Sequence, residues 1–290
     1  MSSLALALVI LAAFLHASWN LLAKRAASAG PVFVLAYSGI ASAAYLPWGV
    51  WLLRNEGMNW DSGVTACIIL SGALHLAYSL FLQRGYQVAD LTVVYPIARG
   101  SAPLLSTVGA FLLLRERPSA WSLLGLSAIV VGIGLISTEG NLTLFRSSTA
   151  HKGVWWGAGT GAMIAAYTVV DAYGVKVLAI HPVVLDCGAN IIRLLVLLPW
   201  LFPRRLEVAR RLRDSWVLAV AVGVLSPLSY ILVLFALRLR APLSLVAPAR
   251  EMSMMVSALL GMLILRERVT PGRLAGCLLL LVGVIALGRA

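Results

Sequence analysis

The chain has 290 residues, 61% of them hydrophobic and only 12% charged, with a mean hydropathy of +0.93. A soluble domain of this length has no interior large enough to hide so much apolar surface, so composition places the chain in a lipid bilayer. The net charge of +12 does not argue for a nucleic-acid partner, because most Lys and Arg stand singly or in short clusters between apolar runs, where they hold helix ends at headgroups.

Crossing roughly 30 Å of hydrocarbon takes about 20 helical residues. Segments of that size can be cut at 4–24, 31–53, 62–82, 88–113, 119–138, 153–175, 182–202, 214–237, 241–264 and 270–288. Most breaks carry stop signals: Gly30-Pro31, Asn55 to Asp61, Arg117-Pro118, the polar run Glu139 to Lys152, His181-Pro182 and Pro203 to Asp214. The predicted fold is an all-α integral membrane protein of ten transmembrane helices. The first apolar run starts at Leu4 without a basic n-region, so a retained N-terminus is expected rather than a cleaved signal peptide. Cys67, Cys187 and Cys277 lie isolated in apolar segments with no metal-ligand or disulfide spacing and read as packing residues. No cofactor is expected. The arginine-rich stretch Pro203 to Arg213 reads as an interfacial turn at anionic headgroups.

Five segments precede the polar run and five follow it, and the halves repeat. Ala98, Arg99, Ser106, Leu114, Arg115, Glu116, Arg117, Leu123, Gly125, Val131 and Gly132 recur 151 residues later as Ala249, Arg250, Ser257, Leu265, Arg266, Glu267, Arg268, Leu274, Gly276, Val282 and Gly283. Leu46-Pro47-Trp48 is echoed by Leu198-Pro199-Trp200, Pro31 by Pro182 and Lys24 by Lys176. The division is 1–138, a connection over 139–152, and 153–290. An odd number of helices per repeat sends the second half in from the opposite side, so the repeats are inverted about an axis in the membrane plane. That organisation points to a transporter with its site where the repeats meet.

Ten helices in two inverted five-helix repeats, the Trp19-Asn20 pair with Lys24 closing the first helix, and the Leu114-Arg115-Glu116 and Leu265-Arg266-Glu267 turns together resemble the EamA-type drug/metabolite transporters. The resemblance covers nearly the whole chain. It implies a central cavity lined by the first, third, fourth, sixth, eighth and ninth helices, with the fifth and tenth peripheral, and a multi-pass protein of a bacterial inner membrane. It is similar in particular to bacterial exporters of aromatic and hydrophobic amino acids, although the superfamily also moves sugar phosphates, nucleotide sugars and drugs. It also implies cytoplasmic termini, whereas Lys and Arg are denser in the loops after the odd-numbered segments, which the positive-inside rule would place in the cytoplasm. A monomer or weak homodimer is expected.

Charged side chains deep in a membrane helix are costly and face a cavity or a partner. Here Arg99, Arg250, Glu251, Arg193 and Asp171 lie within segments, and Asp186 nearer an end. One reading makes them structural ion pairs that lock the repeats together. In the other, Arg99 or Arg250 receives a substrate carboxylate while Glu251 or Asp171 receives an amine, as suits a zwitterion. Pro96 and Pro248 precede the two arginines and remove helix donors, marking candidate hinges. His75, Tyr78, Ser79 and Leu82 share a helix face, as do Ser226, Ser229 and Tyr230. Trp19, Asn20, Tyr95, Tyr167 and Tyr230 complete the candidate lining, and His16 and His75 are candidate proton carriers. Lys24 and Lys176 read as snorkelling residues, and Gly157 and Gly161 as close-packing positions. A lipid-modifying enzyme would need clustered His or Asp at one interface, and His16, His75, His151 and His181 show no such spacing. A scaffold or sensor would avoid the cost of midplane charges.

Overall fold

A computed structural model describes residues 2–26, 30–89, 91–141, 143, 150–201, 212–213, 215–264 and 270–289. The turn Leu265 to Arg268 and most of the Pro203 to Asp214 stretch fall outside the described residues. The helices are α1 (Ser3–Arg25), α2 (Pro31–Asn55), α3 (Ser62–Val88), α4 (Leu91–Leu114), α5 (Ala120–Thr138), α6 (Ala150–Lys176), α7 (Pro182–Leu201), α8 (Trp216–Arg238), α9 (Leu243–Arg250), α10 (Met252–Ile264) and α11 (Pro271–Gly288). No strand occurs among the described residues. Among the described residues nine spans are long and apolar enough to cross a bilayer, with α9 and most of α10 together supplying one of them. The ninth predicted segment is therefore not one helix but two, interrupted at Glu251. Pro248 supplies no N–H to the turn before it, and the Glu251 amide instead bonds the Pro248 carbonyl at 3.0 Å.

Local chemistry sets the helix ends. Asp61 caps α3 by accepting from the Val64 amide at 2.7 Å, and Ser119 and Thr270 cap α5 and α11 in the same way. These two caps stand 151 residues apart, so the repeat extends to its stop signals. Leucine, valine and tryptophan side chains such as Leu113, Trp121, Trp155 and Leu278 stay exposed on the outer faces, where lipid replaces water.

The packing obeys a pseudo-two-fold. α1 packs on α8 as α6 packs on α3, α2 packs on α8 as α7 packs on α3, and α2 and α7 meet each other, as do α5 and α11. The α5–α11 contact gives the sharpest test. A Cβ added to Gly125 would stand 2.8 Å from the Gly283 carbonyl oxygen, and one added to Gly132 would stand 2.9 Å from that of Gly276. Gly276 and Gly283 are the repeat partners of Gly125 and Gly132, so position i meets j′ while j meets i′. Only a two-fold relation between the halves produces that crossed pattern. The inverted-repeat expectation and the close-packing role of these glycines are both present in the contact. α6 approaches α4 in the same manner: a Cβ on Gly157 would lie 2.8 Å from the Val94 carbonyl oxygen.

Overpacking at these contacts should cost about 1–3 kcal/mol per added side chain. Gly132→Leu and Gly276→Leu are each expected to lower the thermal midpoint in detergent and leave the relative rates for different substrates unchanged. A changed substrate preference at normal thermal stability would show that α5 and α11 are more than scaffold.

Candidate functional site

The interruption after α9 sets the centre of the molecule. Ending α9 at Arg250 and restarting at Met252 leaves Glu251 in the break, with no exposure to solvent. Its Oε2 lies 2.9 Å from Arg99 Nε and its Oε1 lies 3.8 Å from Arg250 Nε. Arg99 Nη2 donates to Ser253 Oγ at 2.9 Å, and the guanidinium lies 5.9 Å from the centre of the Tyr95 ring. Both arginines are buried, Arg99 at 6% and Arg250 at 4% exposure. Two cations therefore share one carboxylate, and the group carries one unmatched positive charge.

The repeat shows which arginine carries it. Subtracting 151 from Glu251 and Ser253, the two residues that hold Arg99, gives Gly100 and Ala102. Neither offers a side-chain acceptor, so Arg250 has no counterpart of the contacts that satisfy Arg99. Arg250 makes no side-chain hydrogen bond among the described residues, and its contact is the longer, 3.8 Å ion pair with Glu251. Sequence reading left Arg99 and Arg250 equivalent. The structure separates them: Arg99 pairs with Glu251 at 2.9 Å and donates to Ser253, whereas Arg250 has only the longer contact to Glu251. Glu251 is correspondingly held between the two arginines.

Asp171, on α6, is wholly buried. Its Oδ2 lies 3.1 Å from His75 Nε2 on α3 and accepts from the Tyr230 hydroxyl on α8 at 2.5 Å, while Oδ1 has no partner. The Tyr167 ring stacks on His75 with centroids 3.8 Å apart, and Tyr230 and Tyr78 meet this pair edge-on. Aromatic walls with polar tips thus converge from three helices on one carboxylate. Trp19 Nε1 donates to Ser229 Oγ at 3.1 Å, joining α1 to α8, and His16 packs edge-on against Trp19.

Other predicted lining residues have their polar groups engaged within the protein. Ser79 Oγ donates to the His75 carbonyl of its own helix, and Ser229 Oγ donates to the Ser226 carbonyl as well as accepting from Trp19. Asn20 is half-buried. Pro96 lies within α4 without interrupting it, whereas Pro248 stands beside the break. Arg193 Nη2 donates to Asn190 Oδ1 at 2.5 Å and Asn190 Nδ2 to Asp186 Oδ2 at 2.9 Å, a chain along one face of α7.

One group was read from the sequence only as a family mark. Arg115 takes a left-handed φ of 55° and ends α4, with the Glu116 amide bonded back to the Ala110 carbonyl. That turn points Glu116 across to the other repeat. Its carboxylate accepts from the Leu243 and Ser244 amides and the Ser244 hydroxyl, capping α9, and from Lys176 Nζ at 2.7 Å. Lys176 Nζ also donates to the Ala241 carbonyl. The snorkelling expectation for Lys176 is therefore corrected: a carboxylate and a helix-entry carbonyl offer it a better site than the headgroups. The Lys24 side chain lies outside the described residues.

Comparison with known proteins agrees with this architecture. Residues 3–138 and 151–289 each match the EamA-like transporter family, so the chain belongs to it. A solved crystal structure resembles the chain with a TM-score of 0.76 at 15% identity, covering 99% of this chain and 96% of the other, a likeness of fold. No curated protein sequence matches.

The Glu116 latch has a pH signature. Burial alone would raise the carboxyl's pKa, yet the Lys176 ammonium and the Ser244 and Leu243 amides outweigh it and hold Glu116 below its ordinary 4.5. A depressed folded pKa gives stabilisation that is complete above the unfolded value and disappears as pH falls through the folded one. The thermal midpoint of Glu116→Gln should fall below that of the parent at neutral pH, and the gap should narrow as pH drops below 4.5. A gap constant with pH would remove the carboxylate from this role.

Proposed function

We propose that this chain, a member of the EamA-like transporter family, exports small zwitterionic amino acids, aromatic and hydrophobic ones included. It works by alternating access in a bacterial inner membrane, as a monomer or weak homodimer, with no cofactor. The observation that carries the reading is Arg250: a buried cation whose repeat partner Arg99 is neutralised by Glu251 and Ser253, and which itself has no side-chain hydrogen bond among the described residues. A substrate carboxylate completes it through the bidentate fork. Asp171 Oδ1 takes the ammonium, with Tyr230 and His75 fixing the other oxygen. Tyr167, Tyr78, Tyr95 and Trp19 line the side-chain space.

Charge balance supports this cargo over an organic anion or a sugar phosphate. Arg99 and Arg250 set against Glu251 and Asp171 leave no net charge, and a neutral site suits a neutral zwitterion. A phosphate carrier needs an excess of cations. The break at Glu251 beside Pro248 supplies the hinge of the second repeat, with Pro96 its weaker counterpart in α4, so closing around substrate changes backbone angles beside a residue that donates no backbone hydrogen bond.

Arg250→Gln should weaken leucine and phenylalanine transport about ten- to a hundredfold, the consequence of losing a charge-assisted bond of about 1.5–3 kcal/mol. Leucinamide transport should be little changed. Arg99→Gln should instead reduce folded yield by stranding Glu251, and adding Glu251→Gln should restore it. Equal losses for acid and amide in the Arg250 variant would overturn the assignment.

A further inference from the structure

We propose that the crevice between α2, α3 and α7 binds one phospholipid of the phosphatidylethanolamine type, with an acyl chain in the crevice and the headgroup across Glu56 and Arg238 at the membrane face. The site is separate from the charged core and does not rest on the amino-acid reading above.

The crevice follows from how three helices meet. Among the described residues α2 and α3 each pack on α7 but do not form a packed pair with each other, so α7 is a floor between two walls. Small residues bring the walls close to that floor: a Cβ built on Gly188 would stand 2.6 Å from Ile68 Cγ2, and one on Gly49 3.8 Å from Cys187 Sγ. Between the walls remains a cavity of about 310 Å³, with Leu46 and Val50 on one side, Thr65 and Ile69 on the other, and Ile191 and Ile192 below. The Thr65 hydroxyl already donates to the Asp61 carbonyl. An empty space of this size forfeits dispersion contacts along its whole lining, and apolar walls give water nothing to bond. Hydrocarbon fills it.

Length selects the occupant. Ile192 lies ten residues beyond Pro182, the start of α7, which is about 15 Å of helix. That is half of a hydrocarbon core of roughly 30 Å. The crevice therefore runs from one membrane face to about the midplane, the reach of one acyl chain in one leaflet. Trp60 stands exposed at its mouth, where interfacial tryptophans sit.

The head of the site is a second cavity of about 140 Å³, which shares Leu53 and Val184 with the first. Helix ends on the same face as Glu116 build it: Glu56 just beyond α2, His181 just before α7, and Arg238 closing α8. Gly57 and Ala179, at φ of 62° and 55°, turn the two loops sharply, and a Cβ on Gly57 would meet nothing within 4 Å. Glu56 and Arg238 stand 3.9 Å apart, a loose pair, and neither makes a side-chain hydrogen bond among the described residues. The Val183 amide donates to His181 Nδ1 at 3.2 Å, which leaves Nε2 to carry the ring proton as a donor. A carboxylate beside a guanidinium and an imidazole N–H complements a headgroup that holds an ammonium beside a phosphodiester. The phosphate takes Arg238 and His181, and the ammonium donates to Glu56. A choline headgroup has no N–H to donate, and a glycerol headgroup brings no cation.

Two measurements test this. In the first, native mass spectrometry follows the purified protein offered equal amounts of phosphatidylethanolamine, phosphatidylcholine and phosphatidylglycerol with the same acyl chains. One phosphatidylethanolamine per chain should survive the activation that strips other lipid, with a several-fold preference over both competitors. Glu56→Gln should lower the preference over phosphatidylcholine by up to about fivefold, the scale of an exposed ion pair. Arg238→Gln should lower retention of phosphatidylethanolamine and phosphatidylglycerol alike. No preference for phosphatidylethanolamine in the parent, or a preference unchanged in both variants, overturns the proposal. In the second, liposomes contain phosphatidylethanolamine with a photoreactive diazirine midway along one chain. Illumination should attach it to peptides carrying residues 65–69 and 191–192. Val50→Trp, which fills the crevice without reaching the head cavity, should reduce that labelling several-fold at parental helix content by circular dichroism. Labelling spread evenly over the outer faces, α5 and α11 included, would make the lipid an annular one only. Lipid-free dimers cross-linked through position 60 would give the crevice to a second copy of the chain. Either result overturns the proposal.

Discussion

The contact between Arg99 and Glu251 is the interaction on which the rest of the core depends. Each of these charges would be untenable alone in hydrocarbon, and removing one partner from a buried pair typically costs about 3–5 kcal/mol. Their pairing fixes α4 of the first repeat against the α9–α10 junction of the second.

Duplication gives symmetry, and function appears where symmetry fails. The scaffold keeps the two-fold: Gly125 meets Gly283 as Gly132 meets Gly276, and both α5 and α11 begin at matched hydroxyl caps. At the centre the two arginines are kept, but Glu251 and Ser253 stand opposite Gly100 and Ala102. Two identical arginine–glutamate pairs would have made a closed salt-bridge network with nothing left for a ligand. Replacing one partner set by small residues leaves Arg250 without the acceptors that hold Arg99. The acidic group on the other side, Asp171, has no acidic counterpart either: 151 residues earlier stands Asn20.

How much of this was legible in the sequence follows from the range of each signal. Helix number and the peripheral glycines were readable because hydropathy, stop signals and a gap-free internal match are local or periodic. The convergence of His75, Asp171 and Tyr230 was partly readable, since residue type and helix face were known but the partner across the bundle was not. The unequal fates of Arg99 and Arg250 were hidden in residues that attract no attention, Gly100 and Ala102, and become visible only when the repeat is used to ask what each arginine should touch. The helix break was missed because Pro248 near one end of an apolar run reads as a bend as readily as an interruption. Lys176 was misread for a related reason: a helix-end lysine near an interface has headgroups by default, and the competing carboxylate lies 60 residues away in the chain.

The latch and the hinge belong to one mechanical unit. Glu116 caps the first turn of α9, and α9 ends only seven residues later at the break that holds Glu251. α9 is thus a short rigid lever, fixed at one end by a cross-repeat carboxylate and freed at the other by Pro248, with Arg250 on its last turn. On the alternating-access reading proposed above, a lever fixed at one end and hinged at the core converts small changes around Arg250 into movement of α9 against α4. When an anion neutralises Arg250, the attraction that Glu251 divides between two cations shifts toward Arg99, and the junction tightens. The same event reduces the charge repulsion between the two arginines that α4 and α9 carry. On the proposed function, substrate binding at Arg250 acts on the contact that joins the repeats, which is the physical requirement for coupling occupancy to a change in access.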